Sequence, residues 1–197
     1  MAERTGGNGL RLPEPAHRLL ERTRDILNRH LSPYAADGAG WKIGGGTILA
    51  ARWRHRRSSD LDVLLHPDSD TEHYDADGPG SFCQDLEDAG ALTIHLDDFS
   101  LIQFPEGWIE ILKEHPQPAL GHNRIQVDGL PATVLSSAQI IGGKLFNRGL
   151  APPVRDLYDM AVSAIEDPAS IEVPVNGLRT SALDRRSQGA QPEPSWT

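Results

Sequence analysis

Cysteine is almost absent: Cys83 is the only one in 197 residues. A single cysteine excludes an internal disulfide framework and a cysteine-rich zinc module. Long apolar runs are missing as well. None approaches the ~18 residues of a membrane span, which argues against a bilayer-crossing helix and a membrane partner. The opening stretch, MAERTGGNGLRLPEP, contains no apolar segment of the kind a secretory signal uses. The expectation is a reducing, cytoplasmic compartment. Basic residues are in deficit, with 19 Lys and Arg against 28 Asp and Glu and a formal net charge of −9. That balance argues against a general nucleic-acid coat, whose footprint is a basic face, but leaves room for a local basic patch. The chain is 38% hydrophobic, which suffices for a core. A domain of ~150 residues buries roughly 68–70% of its unfolded surface.

Composition marks loose ends. Residues 1–14 carry glycine and proline without apolar periodicity. Residues 167–197 hold four prolines and scattered apolar residues. Both are expected to be disordered or loosely docked, leaving one domain over 15–166. A helix is predicted over about 15–31, from Leu19, Leu20, Ile26, Leu27 and Leu31 on one stripe with Thr23 between the pairs. A short apolar entry, Trp41 to Ile43, meets three glycines, and Thr47 is read as the cap of a helix reaching Arg54. Asp60 and Asp62 alternate with Leu61, Val63 and Leu65, which predicts a strand.

SFCQDLEDAG reads as a helix ending at Gly90. ALTIHLDD, FSLIQFP and GWIEILKE read as an antiparallel meander. IQVDGLPATVL gives two further extended pieces around Asp-Gly. Ser136 can cap a helix to about Asn147. After Pro152 and Pro153, Val154, Leu157, Tyr158, Ala161 and Ile165 are expected to line one face of a last helix. Trp41, Trp53, Trp108 and Cys83 are expected in the core. The order of elements gives an α+β class with a mixed or antiparallel sheet flanked by helices.

The chemistry centres on Gly45-Gly46-Thr47 followed by Asp60-Leu61-Asp62. Alternate strand residues share a face, so Asp60 and Asp62 point the same way. Two carboxylates on one face repel unless a cation sits between them, and Mg²⁺ prefers carboxylate and phosphate oxygens. Two glycines before a helix let backbone N–H groups approach phosphate closely. A phosphate cradle beside metal carboxylates is what phosphoryl or nucleotidyl transfer needs. Alone, Gly-Gly is usually a turn and Asp-x-Asp a solvated strand face; together the pair is far more specific. The basic run Arg52, Arg54, His55, Arg56 and Arg57 can contact phosphate, or can simply compensate the acidic strand.

GGGTILAARWRHRRSSDLDVLL resembles the signature of the DNA polymerase β-like nucleotidyltransferase superfamily. More narrowly, Gly45-Gly46-Thr47 with His55-Arg56-x-Ser58-x-Asp60-Leu61-Asp62 is similar to the AbiEii/AbiGii toxin family. A second block, SSAQIIGGKLFNRGLAPPVRDLYDM, matches that family through Lys144, Arg155, Asp156, Leu157, Tyr158 and Asp159. The resemblance spans roughly residues 25–165 and implies the polymerase β-like fold. It also implies a third metal carboxylate between apolar residues on a later strand. Glu110, in Ile109-Glu110-Ile111, fits best; Asp97, Asp98 and Asp128 compete, although Asp128 before Gly129 reads as a turn.

The implied site has Asp60, Asp62 and Glu110 holding Mg²⁺, and Gly45, Gly46 and Thr47 on the triphosphate. Lys144 would neutralise the leaving pyrophosphate. Arg155, Arg56 and Ser58 would shape the nucleotide site, and Asp156 would position a hydroxyl or fix Lys144. Arg155 and Asp159, four residues apart, can also simply pair with each other. The implied activity is transfer of a nucleoside monophosphate from a nucleoside triphosphate to a hydroxyl. The implied acceptor is the 3′ end of tRNA, with a protein antitoxin as partner. The alternatives are an antibiotic nucleotidyltransferase of aminoglycoside type, which is not expected to carry the Arg-Asp-Leu-Tyr-Asp block, and a non-catalytic nucleotide-binding relative.

Overall fold

The computed structural model describes residues 9–34, 40–69, 79–96, 100–114, 122–148 and 152–177. Its centre is an eight-stranded mixed sheet. In chain order the strands are β1 (Gly9–Leu10), β2 (Lys42–Ile43), β3 (Asp60–Leu65), β4 (Thr93–Leu96), β5 (Ser100–Phe104), β6 (Gly107–Lys113), β7 (His122–Val127) and β8 (Leu130–Leu135). They lie in the order β1-β7-β8-β2-β3-β6-β5-β4. The helices are α1 (Ala16–His30), α2 (Gly45–Trp53), α3 (Phe82–Asp88), α4 (Ser137–Arg148) and α5 (Val154–Glu166).

The meander is present: β4, β5 and β6 pair antiparallel. β7 and β8 form a hairpin whose turn, Asp128-Gly129, has both residues at positive φ, 51° and 80°. Asp128 is therefore a turn residue. Its carboxylate accepts from Leu12 N at 3.2 Å and lies 3.0 Å from His17 Nδ1, well away from the acidic strand. The pairing that matters most is non-local. β3 and β6 run parallel, with Asp62 beside Glu110 and Val63 beside Ile111. Leu61, Val63, Leu65, Ile109 and Ile111 face one side and are buried. They share the core with Leu19, Leu20 and Leu27 of α1, which packs on β3 and β6. Each such side chain contributes about 1.5–3 kcal/mol by leaving water. Thr23 sits in this apolar stripe because its hydroxyl bonds the Leu19 carbonyl at 2.7 Å.

Several expectations are corrected. Gly9–Leu10 is a strand paired with β7, and Leu12 is buried, so the described chain is ordered before residue 15. Residues 169–177 are helical, with Ser170 buried and Ile171 against the core, so the tail is structured past 167. Residues 1–8 and 178–197, including Trp196, lie outside the described residues, as do Asp97 and Asp98. Thr47 does not cap α2: the helix starts at Gly45 with Gly44 as its cap. Trp108 is exposed because it shares the Glu110 face of β6, and Cys83 is only half buried.

α5 is present, but it is the polar face of the helix that is buried. Its apolar stripe faces outward, with Val154 82% and Ile165 78% exposed, while Asp156, Asp159 and Ser163 form the buried face. Ser136 does cap α4. Its Oγ accepts from Gln139 N at 3.2 Å, and Gln139 Oε1 accepts from Ser136 N at 3.0 Å, a reciprocal capping box.

Candidate functional site

The other face of β3 and β6 opens into a cleft of about 850 Å³, within the size range of small-molecule sites. Alternation along β3 sends Asp60, Asp62 and Leu64 into it; along β6 it sends Glu110 and Leu112. The parallel register sets Asp62 and Glu110 side by side. On α4, Gln139, Ile140, Gly143 and Lys144 form one helical face on the opposite wall.

The glycine turn closes one end. Gly44 N donates to the Asp62 carbonyl at 3.0 Å, which ties the start of α2 to β3. Gly45 has φ +64°, and a Cβ there would lie 1.6 Å from Asp62 Oδ2. A Cβ on Gly46 would lie 1.9 Å from Arg56 Nη2. Both glycines therefore admit a charged side chain against the backbone. Thr47 is fully buried behind the turn. Its hydroxyl donates within reach of the Asp60 carbonyl (2.5 Å) and Ser58 Oγ (2.7 Å). Ser58 Oγ donates in turn to Asp60 Oδ1 at 2.8 Å. Thr47 and Ser58 thus orient Asp60 from behind and do not line the cleft.

Asp62 is the exceptional group. Burial, and then the charges of Asp60 and Glu110, push its carboxyl up to about 7, against the opposing pull of Lys144 and Arg155. Its buried Oδ2 has no hydrogen-bond partner. An orphaned carboxylate oxygen beside two more carboxylates is the donor set of a hard cation. Among the described residues no three His, Cys, Asp or Glu side chains gather closely enough to enclose an ion by themselves. Asp60, Asp62 and Glu110 are the residues that could hold a cation such as Mg²⁺, with waters and phosphate oxygens completing its shell. Arg155 Nη1 stands 3.8 Å from Asp60 Oδ2. Arg155 therefore faces the acidic strand and does not pair with Asp159.

A second cluster lies behind the glycine turn. Arg54 caps the end of α2, and its left-handed φ of 52° turns the chain back so that His55 and Arg56 meet α5. Asp159, fully buried, accepts from Arg56 Nε (2.7 Å), Arg56 Nη2 (2.9 Å) and His55 Nε2 (2.7 Å). Lys144 Nζ lies 3.1 Å from Asp159 Oδ2 and donates to Asp156 Oδ1. Burial alone would raise the Asp159 pKa, but the Arg56 and His55 hydrogen bonds and the Lys144 charge outweigh it and hold the group at about 2. The hydrogen bond to Asp159 raises the Arg56 pKa further.

The structure thus gathers Gly45, Gly46, Arg56, Asp60, Asp62, Glu110, Lys144 and Arg155 around one cleft. Asp156 is buried behind it as the anchor of Lys144. Sequence reasoning reads His55 only as one of a basic run that can contact phosphate, and Asp159 only as the end of the Arg-Asp-x-x-Asp block that the resemblance implies shapes the nucleotide site; it gives neither a role of its own. The available signal was spacing: Asp159 is three residues after Asp156 and so shares its helix face.

Neither a family model nor a curated protein sequence matches the chain. Solved structures do. A crystal structure of ANT(2″)-Ia in complex with adenylyl-2″-tobramycin is similar over 84% of this chain and 95% of that one, at 18% identity and a TM-score of 0.56. A solution structure of the antibiotic-resistance factor ANT(2″)-Ia covers 88% and 95%, at 16% identity and a TM-score of 0.49. The crystal-structure likeness shows the fold, a mixed α+β arrangement that the chain shares with ANT(2″)-Ia. Among the described residues no helix is long and apolar enough to cross a membrane.

Proposed function

We propose that this protein is a magnesium-dependent nucleotidyltransferase whose acceptor is a small cationic molecule of aminoglycoside type. The observation that carries the reading is the convergence of Asp60, Asp62 and Glu110 with the glycine turn in one cleft. In the reaction the acceptor hydroxyl gives up its proton to solvent, and its oxygen bonds the α-phosphorus of a nucleoside triphosphate. Pyrophosphate leaves with the electron pair of the broken bond. Asp60, Asp62 and Glu110 would hold Mg²⁺, which would supply charge stabilisation at the α-phosphate and lower the hydroxyl pKa. The backbone N–H groups of Gly45 and Gly46 face the phosphates at the start of α2. Lys144 and Arg56 present cations beside them.

The acceptor class follows from charge. Beyond the ends of β3 and β6 the cleft wall continues through His66, Asp68, Lys113 and Glu114, with Glu114 paired to Lys42 at 2.9 Å. The chain as a whole carries a net charge of −9, which favours a cationic acceptor over a polyanion. The structural neighbour that carries adenylyl-2″-tobramycin supports the same class.

A second reading is a toxin of the AbiEii/AbiGii type, acting on the 3′ end of tRNA and restrained by a protein antitoxin. It is favoured by the union of the two sequence blocks, His55-Arg56 with Asp159 and Lys144 with Asp156.

One experiment separates them. The protein is incubated with Mg²⁺, each α-phosphate-labelled nucleoside triphosphate, and either tobramycin or total tRNA. Label on tobramycin is the expected result. Label on tRNA selects the second reading. No label on either and no pyrophosphate release overturns both, and leaves a non-catalytic nucleotide-binding relative.

A further inference from the structure

Asp159 on α5 draws basic groups from two other parts of the chain: His55 and Arg56 after α2, and Lys144 on α4. It makes four contacts with two oxygens. Oδ1 takes Arg56 Nε and His55 Nε2; Oδ2 takes Arg56 Nη2 and Lys144 Nζ. A carboxylate has about four lone-pair sites, so this one is fully used. The two Arg56 contacts form a fork, which fixes the guanidinium plane as well as its position.

The donors left over point to a purpose. Arg56 has five N–H donors. Nε and one Nη2 donor go to Asp159, and Nη1 goes to the Arg57 carbonyl (2.9 Å) and Ser58 Oγ (3.4 Å). One Nη2 donor remains, and Nη2 lies against Gly46. Lys144 has three donors. Two go to Asp156 and Asp159, and one remains. Arg56 and Lys144 are each only 13% exposed, and both line the cleft beside the glycine turn.

We propose that Asp159 is a positioning residue: by fixing Arg56 and Lys144 on the cleft wall beside Gly46, it presets two N–H donors for the phosphate oxygens of the nucleotide. The proposal rests on the nucleotidyltransferase reading above. Asp159 touches no phosphate itself and acts through the two cations. An Asn there offers one acceptor oxygen and turns an NH₂ group toward cations, so both donors lose their fixed aim.

The test uses inorganic tripolyphosphate, titrated calorimetrically into the full chain, with folding of each variant checked by circular dichroism. Asp159→Asn should weaken binding at least tenfold, and so should Arg56→Ala. The double variant should lose clearly less than the product of the two, because Asp159 acts through Arg56. Arg56→Lys keeps the charge but cannot make the fork, and should bind about as poorly as Arg56→Ala. It serves as the test should Asp159→Asn fail to fold.

Unchanged affinity in Asp159→Asn, fully multiplicative losses, wild-type affinity in Arg56→Lys, or no tripolyphosphate binding by the wild type would each overturn the proposal. Pyrophosphate release from nucleoside triphosphates, measured in parallel, separates the two levels. Asp159-dependent binding without release keeps this proposal and overturns the transferase. Release with binding indifferent to Asp159 does the reverse.

Discussion

Asp62→Asn should make the metal-free protein more stable, although it removes a residue assigned to the metal. Burial and the repulsion of Asp60 and Glu110 lift the Asp62 pKa from 3.8 to about 7. A carboxyl raised on folding holds its proton more tightly in the folded state. Stability present below the unfolded value is therefore lost as pH rises through about 7. The rise from 3.8 to about 7 is worth about 4 kcal/mol, at about 1.36 kcal/mol per pH unit. Asn is neutral at every pH and escapes that cost. At pH 8 in EDTA, Asp62→Asn should gain up to about 4 kcal/mol, a rise in Tm of roughly 8–16 °C for a chain of this size. At pH 4 the wild-type carboxyl is mostly protonated in the folded state, and the gap should shrink below about 1 kcal/mol. Adding Mg²⁺ at pH 8 should stabilise the wild type by mass action and leave the variant unchanged. Thermal unfolding at both pH values, with EDTA and with Mg²⁺, reads all three effects. A variant less stable than wild type at pH 8 in EDTA would refute the reasoning, because it would mean that Asp62 already has a compensating partner.

Three further predictions concern the surroundings. Gly45→Ala places a Cβ 1.6 Å from Asp62 Oδ2 at a φ of +64°; it should cost about 2 kcal/mol or more in denaturant unfolding and abolish turnover, and a wild-type midpoint would contradict this. Asp159 is held at about 2, so its ion pairs contribute stability above 3.8 that is lost as pH falls through about 2. Asp159→Asn should lose at least about 2 kcal/mol at pH 7, with the gap closing near pH 2; a gap that stays constant across an acid titration would contradict the pairing. Ile165→Ser should change stability by no more than about 0.5 kcal/mol, since Ile165 is 78% exposed; a loss of several kcal/mol would place that face inside the core.

The acidic face was legible in the sequence because strand alternation is a local property. Asp60 and Asp62 against Leu61 and Val63 already separate a charged face from a buried one. Glu110 comes from the family resemblance, which implies a third carboxylate between apolar residues, here Ile109 and Ile111. What alternation cannot supply is partner choice. That β6 lies parallel to β3 with Asp62 beside Glu110 follows from the fold. α5 shows the opposite case. Val154, Leu157, Tyr158 and Ile165 have the spacing of a core stripe, yet the buried face is Asp156, Asp159 and Ser163. Periodicity measures hydrophobicity, and the neighbours here are Arg56, His55 and Lys144. An ion-paired interface therefore takes the place of an apolar one. Thr47 misled by position: Gly-Gly-Thr reads as a capped start, but the bond from Gly44 N to the Asp62 carbonyl begins the helix earlier and turns the hydroxyl inward.

The most direct measurement is pyrophosphate release from nucleoside triphosphates, with Mg²⁺ and tobramycin present, by the wild type and by Asp62→Asn of verified fold. Magnesium-dependent release by the wild type, lost by more than about a hundredfold in the variant, is the predicted result; that ratio is about 2.7 kcal/mol of transition-state stabilisation. Undiminished release by Asp62→Asn would contradict the assignment of the carboxylate face as the metal site of a nucleotidyltransferase.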